Sequence, residues 1–187
     1  KVKKNPVMML VTDELKTLPL TIHVPIAMVS KLITKALILN KIKVAVEELA
    51  KFFDIKNPRI AVTGLNPHAG ENGNLGCEEI NIIIPALDEL NKESNFSIVG
   101  PVPADTAFSS SKRSYYDLIV CMYHDQALIP IKTLDFFNGV NVTLGLDFIR
   151  TSPDHGTAFD IADKNLASPE SLISAINIAY KMSINKK

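Results

Sequence analysis

The sequence predicts an α/β protein built on a layered sheet, and three observations carry that expectation. Short, strongly apolar segments alternate with longer segments whose apolar residues recur at helical spacing. Arg59–Thr63 has the continuous apolar centre of a parallel strand buried on both faces. The residues with chemistry to offer follow such segments. His68, Asp105, His124 and Arg150 each lie just beyond the carboxyl end of an expected strand, the edge where open α/β sheets gather ligands.

Residues 6–12 read as a first strand and residues 18–22 as a second that ends at His23; Pro19 inside it suggests a sheet edge. Thr34 is placed to cap a long helix reaching about Phe53. Its apolar residues Ile38, Ile42, Ala45, Val46, Leu49, Phe52 and Phe53 recur at helical spacing. After the Arg59–Thr63 strand comes a Gly/Asn/Pro-rich loop over 64–76, then a helix marked by Ile80, Ile83, Ile84, Leu87 and Leu90. Strands are expected at 96–99, running into Asp105; at 117–122, running into His124; and at Val140–Leu144, running towards Arg150. Ser168, Pro169 and Glu170 start a last helix, whose expected apolar face is Leu172, Ile173, Ile176, Ala179 and Tyr180.

A length of 187 residues suits one domain, or one plus part of another, and 47% apolar residues suffice for a real core. Twenty basic and twenty acidic residues cancel, so neither nucleic acid nor an anionic membrane is attracted in bulk. Any anion must be held by a few placed groups. Two cysteines, Cys77 and Cys121, are too few for a disulfide framework and suit a reducing, cytoplasmic compartment. They read as small buried hydrophobes. No apolar run approaches the roughly 18 residues of a membrane span, and the first residues do not read as a secretory signal. The first residue is not Met, and the chain is expected to be a piece of a longer polypeptide.

His23, His68 and His124 each sit in a short, polar, turn-forming context. Imidazole is the commonest side-chain donor to zinc and related ions, and three protein ligands with an open position describe a catalytic metal. The commonplace alternative is three loop histidines making hydrogen bonds. Asp105 and Asp125 could move a proton or orient a ligating histidine; each could equally be a helix cap. Lys132, Asn141 and Arg150 could form an anion cradle, since together they supply charge and directional donors. Most basic side chains are merely solvated, but Lys132 lies in the mostly apolar stretch 127–134 and neither it nor Arg150 sits in a charge run. Gly64, Gly70, Gly73 and Gly76 shape a turn that is neither a dinucleotide fingerprint nor a phosphate loop.

The segments TIHVP, VTGLNPHAGE, GPVPADT, MYHDQ and GVNVTLGLDFIRTSPDHGTA occur in this order and closely resemble the 4-hydroxythreonine-4-phosphate dehydrogenase family. The resemblance runs from about Pro6 to the last helix. It implies an isocitrate/isopropylmalate dehydrogenase-like layered α/β/α fold, with the active site in a cleft between two domains of a homodimer. It implies that His23, His68 and His124 bind one divalent metal (zinc, magnesium or cobalt) and that Lys132, Asn141 and Arg150 bind the phosphorylated amino acid substrate. It also implies active-site roles for Asp105 and Asp125. The stretch with His155, Gly156, Thr157, Ala158 and Asp160 resembles the loop that takes the adenosine end of NAD or NADP. Family members are nearly twice this length. Residues 1–140 are therefore expected to form the metal- and substrate-binding domain, and 141–187 a C-terminal segment returning to a mostly absent first domain with the NAD-binding loop. The chain departs from the family pattern at Gly73-Asn-Leu-Gly76, Ala127 and Asp163. Two other classes compete: a metal- and phosphate-binding domain without turnover, and a zinc hydrolase, which would have no use for an adenosine loop.

Overall fold

The structure, a computed structural model, describes residues 5–93, 95–156, 159–164 and 166–186. Seven strands form one mixed sheet: β1 (Val7–Val11), β2 (Lys16–Pro19), β3 (Arg59–Thr63), β4 (Ser97–Val102), β5 (Leu118–Cys121), β6 (Val140–Leu144) and β7 (Arg150–Pro153), in the order β4-β3-β5-β2-β1-β6-β7. β4, β3, β5 and β2 are parallel; β1 runs antiparallel to both β2 and β6, and β7 antiparallel to β6. β2 to β6 therefore all point one way. Their carboxyl ends make one edge, and β7 opens at that edge with Arg150 beside Thr143.

Helices α1 (Ile26–Leu32), α2 (Lys35–Phe53), α3 (Ile84–Leu90), α4 (Ala104–Ala107), α5 (Ser110–Arg113), α6 (His124–Leu134) and α7 (Glu170–Asn185) flank the sheet. α2 begins as its sequence requires: Thr34 Oγ1 accepts from the Leu37 amide at 3.2 Å. It buries Ile38, Ile42, Ala45, Leu49 and Phe52. Val7, Met9 and Val11 of β1 point into that layer with Ile60, Val62, Leu118, Val120, Val140, Val142 and Leu144. The opposite face carries Leu10, Ala61, Ile119 and Cys121, packed on Ala127, Leu128 and Ile131 of α6. The strands in the middle of the sheet are thus apolar on both faces because helices cover both.

The register places the polar residues. Asn141 pairs with Leu10 and Thr143 with Met8, so both stand on the α6 side, and their partners Ser152 and Arg150 follow. The expected division between residues 140 and 141 falls inside β6, and α7 closes back on α2 and β7.

Two expectations are corrected. β2 is not an edge strand but lies between β5 and β1. Pro19 is tolerated there because pairing with β1 covers only Lys16 and Thr17, so no ladder donor is missing on that side. The expected apolar face of α7 is not its buried face: Leu172, Ile173, Ile176 and Tyr180 are exposed, while Ser171, Ala175 and Met182 are buried. The small residues allow close approach, and Thr151 Oγ1 donates to the Ala175 carbonyl at 2.9 Å. α1 and β7 were not expected from sequence. α1 has no side-chain cap and buries only Val29, and β7 is short and flanks the sheet.

Candidate active site

Four parallel strands deliver their following loops to one edge. The segment after β2 carries His23, that after β3 carries His68, that after β4 carries Asp105, and α6 opens directly after β5 with His124 and Asp125. His23 and His124 come together, with ring centroids 5.4 Å apart and planes tilted by 46°. Two imidazoles on one tetrahedral ion, with nitrogen about 2.0–2.1 Å from the metal, hold their ring centres about 5 Å apart. The centroid spacing is compatible with a shared ion and is also that of an ordinary ring contact. His124 Nδ1 hydrogen-bonds Asp125 Oδ1 at 2.6 Å. With Nδ1 as donor, the carboxylate keeps Nε2 free as a metal donor, the usual arrangement of a ligating histidine.

His68 is exposed on the neighbouring loop. Among the described residues no group of three or more His, Cys, Asp or Glu side chains stands close enough to hold a metal; the structure pairs two of the three expected ligands. Its loop is unusual. His68, Ala69, Gly70, Glu71 and Asn72 all have left-handed backbone angles, and Gly73 has φ +95°. Left-handed geometry costs L-residues roughly 1–2 kcal/mol each, so four non-glycine residues in this run need support.

Glu79 supplies that support. It is 1% exposed. Its Oε1 accepts the Leu65 and Asn66 amides, both at 2.8 Å, and its Oε2 accepts Asn66 Nδ2 at 2.9 Å. Burial pushes this carboxyl up, but the bonds from Asn66 and Leu65 outweigh it and leave it below the usual carboxylate range. Gly70 has φ +79°, and a Cβ there would meet Glu79 Oε2 at 2.7 Å, so glycine is required on both counts.

Gln126 joins the two histidine-bearing loops. Its Oε1 accepts from Thr63 Oγ1 at 2.8 Å and from the Met122 amide at 2.7 Å, and its Nε2 donates to the Gly64 carbonyl at 3.0 Å. One side chain thereby ties the end of β3 to the end of β5. Sequence reasoning missed both Glu79 and Gln126. Glu79 did leave a signal: it occupies the stripe of Ile83, Leu87 and Leu90, where a charge is out of place unless bonded.

Asp105 and Asp125 line one cavity of about 330 Å³ between α4 and α6. Asp125 also borders the hollow that holds His23 and His124, and a groove along α6 that reaches Lys132. Lys132, Asn141 and Arg150 share the α6 side of the sheet's antiparallel end. Lys132 Nζ donates to the Asp154 carbonyl at 2.6 Å and lies 3.4 Å from Asp154 Oδ2. Arg150 Nη1 donates to Thr143 Oγ1 at 2.7 Å. Among the described residues Asn141 Oδ1 is buried with no hydrogen-bond partner, and Asp154 Oδ2 is buried with only its ion pair to Lys132. Buried polar atoms are nearly always bonded, so Asn141 Oδ1 stands out on this face as an acceptor without a donor among the described residues.

His155 and Gly156 leave the sheet beyond Pro153, which pairs with Val140 at the opposite edge. His155 is exposed and its Nδ1 meets the Gly156 carbonyl at 3.0 Å. Asp160 falls in a short 3₁₀ turn, Phe159–Ile161, while Thr157 and Ala158 lie outside the described residues.

Comparison with known proteins agrees in sequence and in structure. Residues 1–179 match the family model described as pyridoxal phosphate biosynthetic protein PdxA. The chain is 55% identical over 182 residues to a 4-hydroxythreonine-4-phosphate dehydrogenase of Bradyrhizobium diazoefficiens, covering 97% of this chain and 52% of that one. It is 52% identical to the enzyme of that name from Zymomonas mobilis, covering 98% and 54%. The crystal structure of 4-hydroxythreonine-4-phosphate dehydrogenase from Klebsiella pneumoniae superposes with a TM-score of 0.85 at 42% identity, covering 96% of this chain and 55% of that one. A terephthalate 1,2-cis-dihydrodioldehydrogenase from Burkholderia xenovorans superposes with a TM-score of 0.75 at 30% identity, covering 94% and 55%. The chain thus spans about half the length of the relatives it matches, and it belongs to the PdxA family of pyridoxal phosphate biosynthetic proteins.

Proposed function

We propose that this chain carries the metal- and substrate-binding part of an NAD- or NADP-dependent dehydrogenase. Its substrate is 4-phosphooxy-L-threonine (4-hydroxythreonine 4-phosphate). Oxidation of the C3 hydroxyl gives a β-keto acid, which loses CO2 to leave 3-amino-2-oxopropyl phosphate, on the route to pyridoxal 5'-phosphate. The observation that carries this reading is one edge bearing a His23–His124 pair at metal-sharing distance, joined by a groove along α6 to Lys132. It stands in a chain 55% identical to a relative of that name.

His23, His68 and His124 would hold one divalent ion, zinc, magnesium or cobalt. Bound there, it would supply Lewis acidity that lowers the pKa of a substrate hydroxyl. Asp125 orients the His124 ring. Lys132 and Arg150 would bind the substrate's anionic groups and Asn141 would add a neutral polar contact, which fixes the position of the reacting carbon. Asp105, which lines the same cavity as Asp125, would accept the hydroxyl proton, and NAD or NADP, when bound, would supply the hydride acceptor. CO2 then departs because the new ketone stabilises the charge left behind. The loop with His155, Gly156, Thr157, Ala158 and Asp160 would take the adenosine end of the cofactor.

The inferred setting is an isocitrate/isopropylmalate dehydrogenase-like fold in a cytoplasmic homodimer. Support for the dimer comes from the exposed Ile22, Val24 and Ile26 beside the histidine pair, an apolar rim that a second subunit would cover. By the same inference residues 1–140 form the metal- and substrate-binding unit and 141–187 return to a first domain. The 187 residues alone bind metal and phosphate without turnover.

The test is spectrophotometric. A protein of the relatives' full length containing this chain, given 4-phosphooxy-L-threonine, NAD or NADP and each ion in turn, should form NAD(P)H and release CO2. Silence in every combination overturns the reading. Oxidation of a cis-dihydrodiol instead would move the chain towards its 30%-identical neighbour.

A further inference from the structure

We propose that Glu79 is a positioning residue for the metal site: its buried carboxylate sets the left-handed turn from which His68 is presented as a ligand. The inference rests on the reading of His68 as a ligand and adds the residue through which that ligand is placed.

Glu79 does not line the histidine hollow; it acts from beneath the loop. Its three accepted hydrogen bonds come from Leu65 and Asn66, the residues just before Pro67-His68. They gather the amides where the chain leaves β3, so the turn starts from a fixed point. Asn66 in turn accepts the Ala69 amide through its carbonyl at 3.1 Å, which closes the turn around His68. The Leu75 amide donates to the Gly70 carbonyl at 3.1 Å, and Gly70 lies against the Glu79 carboxylate. The carboxylate therefore holds the loop by hydrogen bonds before His68 and abuts it at Gly70 after His68. A buried ionised group is kept in a core only when its bonds are complete. Here they are completed by the segment that carries the proposed ligand and not by α2 or the sheet. Glu78 bonds Asn66 Nδ2 from outside at 2.8 Å, which leaves Oε1 and Oε2 of Glu79 as the inner anchor.

The substitution Glu79→Gln keeps the size and one acceptor oxygen, removes the charge, and turns an NH2 group towards Asn66 Nδ2. Zinc titration, with a competing chelator, is run on the wild type, Glu79→Gln, His68→Ala and the double variant, beside thermal unfolding of each. Affinity should fall about 10- to 100-fold in Glu79→Gln, the usual range for residues that orient a ligand, and no further in the double variant than in His68→Ala. Hydrogen exchange of the metal-free protein should quicken across 65–75 in Glu79→Gln while the amides of β3 and β5 stay protected. A generalised structural role would instead lower affinity equally with and without His68, and that result overturns the proposal. So does wild-type affinity in Glu79→Gln when His68→Ala is impaired. Wild-type affinity in His68→Ala itself removes the ligand reading beneath it, a distinguishable failure. If Glu79→Gln does not fold, Gly70→Ala presses the same contact from the loop side, and its zinc affinity must fall in the same His68-dependent way.

Discussion

Gln126→Leu tests whether the two histidine loops are held by one side chain. The substitution preserves volume and deletes three hydrogen bonds: two accepted, from Thr63 Oγ1 and the Met122 amide, and one donated to the Gly64 carbonyl. Met122 and Thr63 are fully buried and Gly64 is buried, whereas Gln126 itself borders the α4–α6 cavity. A stranded buried backbone group costs about 1–3 kcal/mol. The Met122 N–H and Gly64 C=O together, less the gain from burying a leucine, give about 3 kcal/mol. For a chain of this size that lowers Tm by roughly 6–12 °C. Thermal unfolding followed by circular dichroism measures it. A double-mutant cycle with Thr63→Val isolates the Thr63–Gln126 bond, expected at about 1 kcal/mol. A Tm unchanged in Gln126→Leu, or strict additivity in the cycle, would refute the claim that Gln126 ties β3 to β5.

Other expectations follow from single groups. Arg150→Lys keeps charge but loses the planar fork, so in a full-length enzyme kcat/KM should fall roughly 10- to 150-fold while zinc affinity holds; steady-state kinetics beside a zinc titration decides, and lost metal with unchanged KM would reverse the assignment. Burial pushes the Asp117 carboxyl up, but the bonds and charge of Arg59 outweigh it and hold it low. A lowered folded pKa stabilises above the unfolded value of about 3.9 and is lost as pH falls through the folded one. Asp117→Asn should therefore lose stability at neutral pH and show a shallower decline in acid, read from urea midpoints; an unchanged pH profile would count against the pair. Cys77, expected to be buried, is exposed because it opens the turn into Glu79, whereas Cys121 is buried as expected with its thiol pushed up by burial; a thiol reagent should therefore label Cys77 in the native protein and both cysteines only after denaturation.

What the sequence made legible was local. Thr34 followed by apolar residues at helical spacing is a complete helix instruction, and α2 begins and ends within a residue of it. The alternation of strands and helices announced the carboxyl edge, and His68, Asp105, His124 and Arg150 lie there as expected. What it hid was long-range. The insertion of β2 between β5 and β1 depends on pairings about a hundred residues apart, and no propensity encodes them; Pro19 even argued against it. α7 misled because its apolar stripe was read as core, whereas packing on β7 selected the small residues Ser171 and Ala175. Glu79 and Gln126 escaped because a hydrogen-bonding role depends on partners that only the fold assembles.

The central claim is that His23, His68 and His124 hold one divalent ion. Calorimetric zinc titration of this chain beside His23→Ala, His68→Ala and His124→Ala measures it directly. One ion per site bound by the wild type, with most of the affinity lost in each of the three variants, is the expected result; zinc affinity in His124→Ala equal to that of the wild type would contradict it.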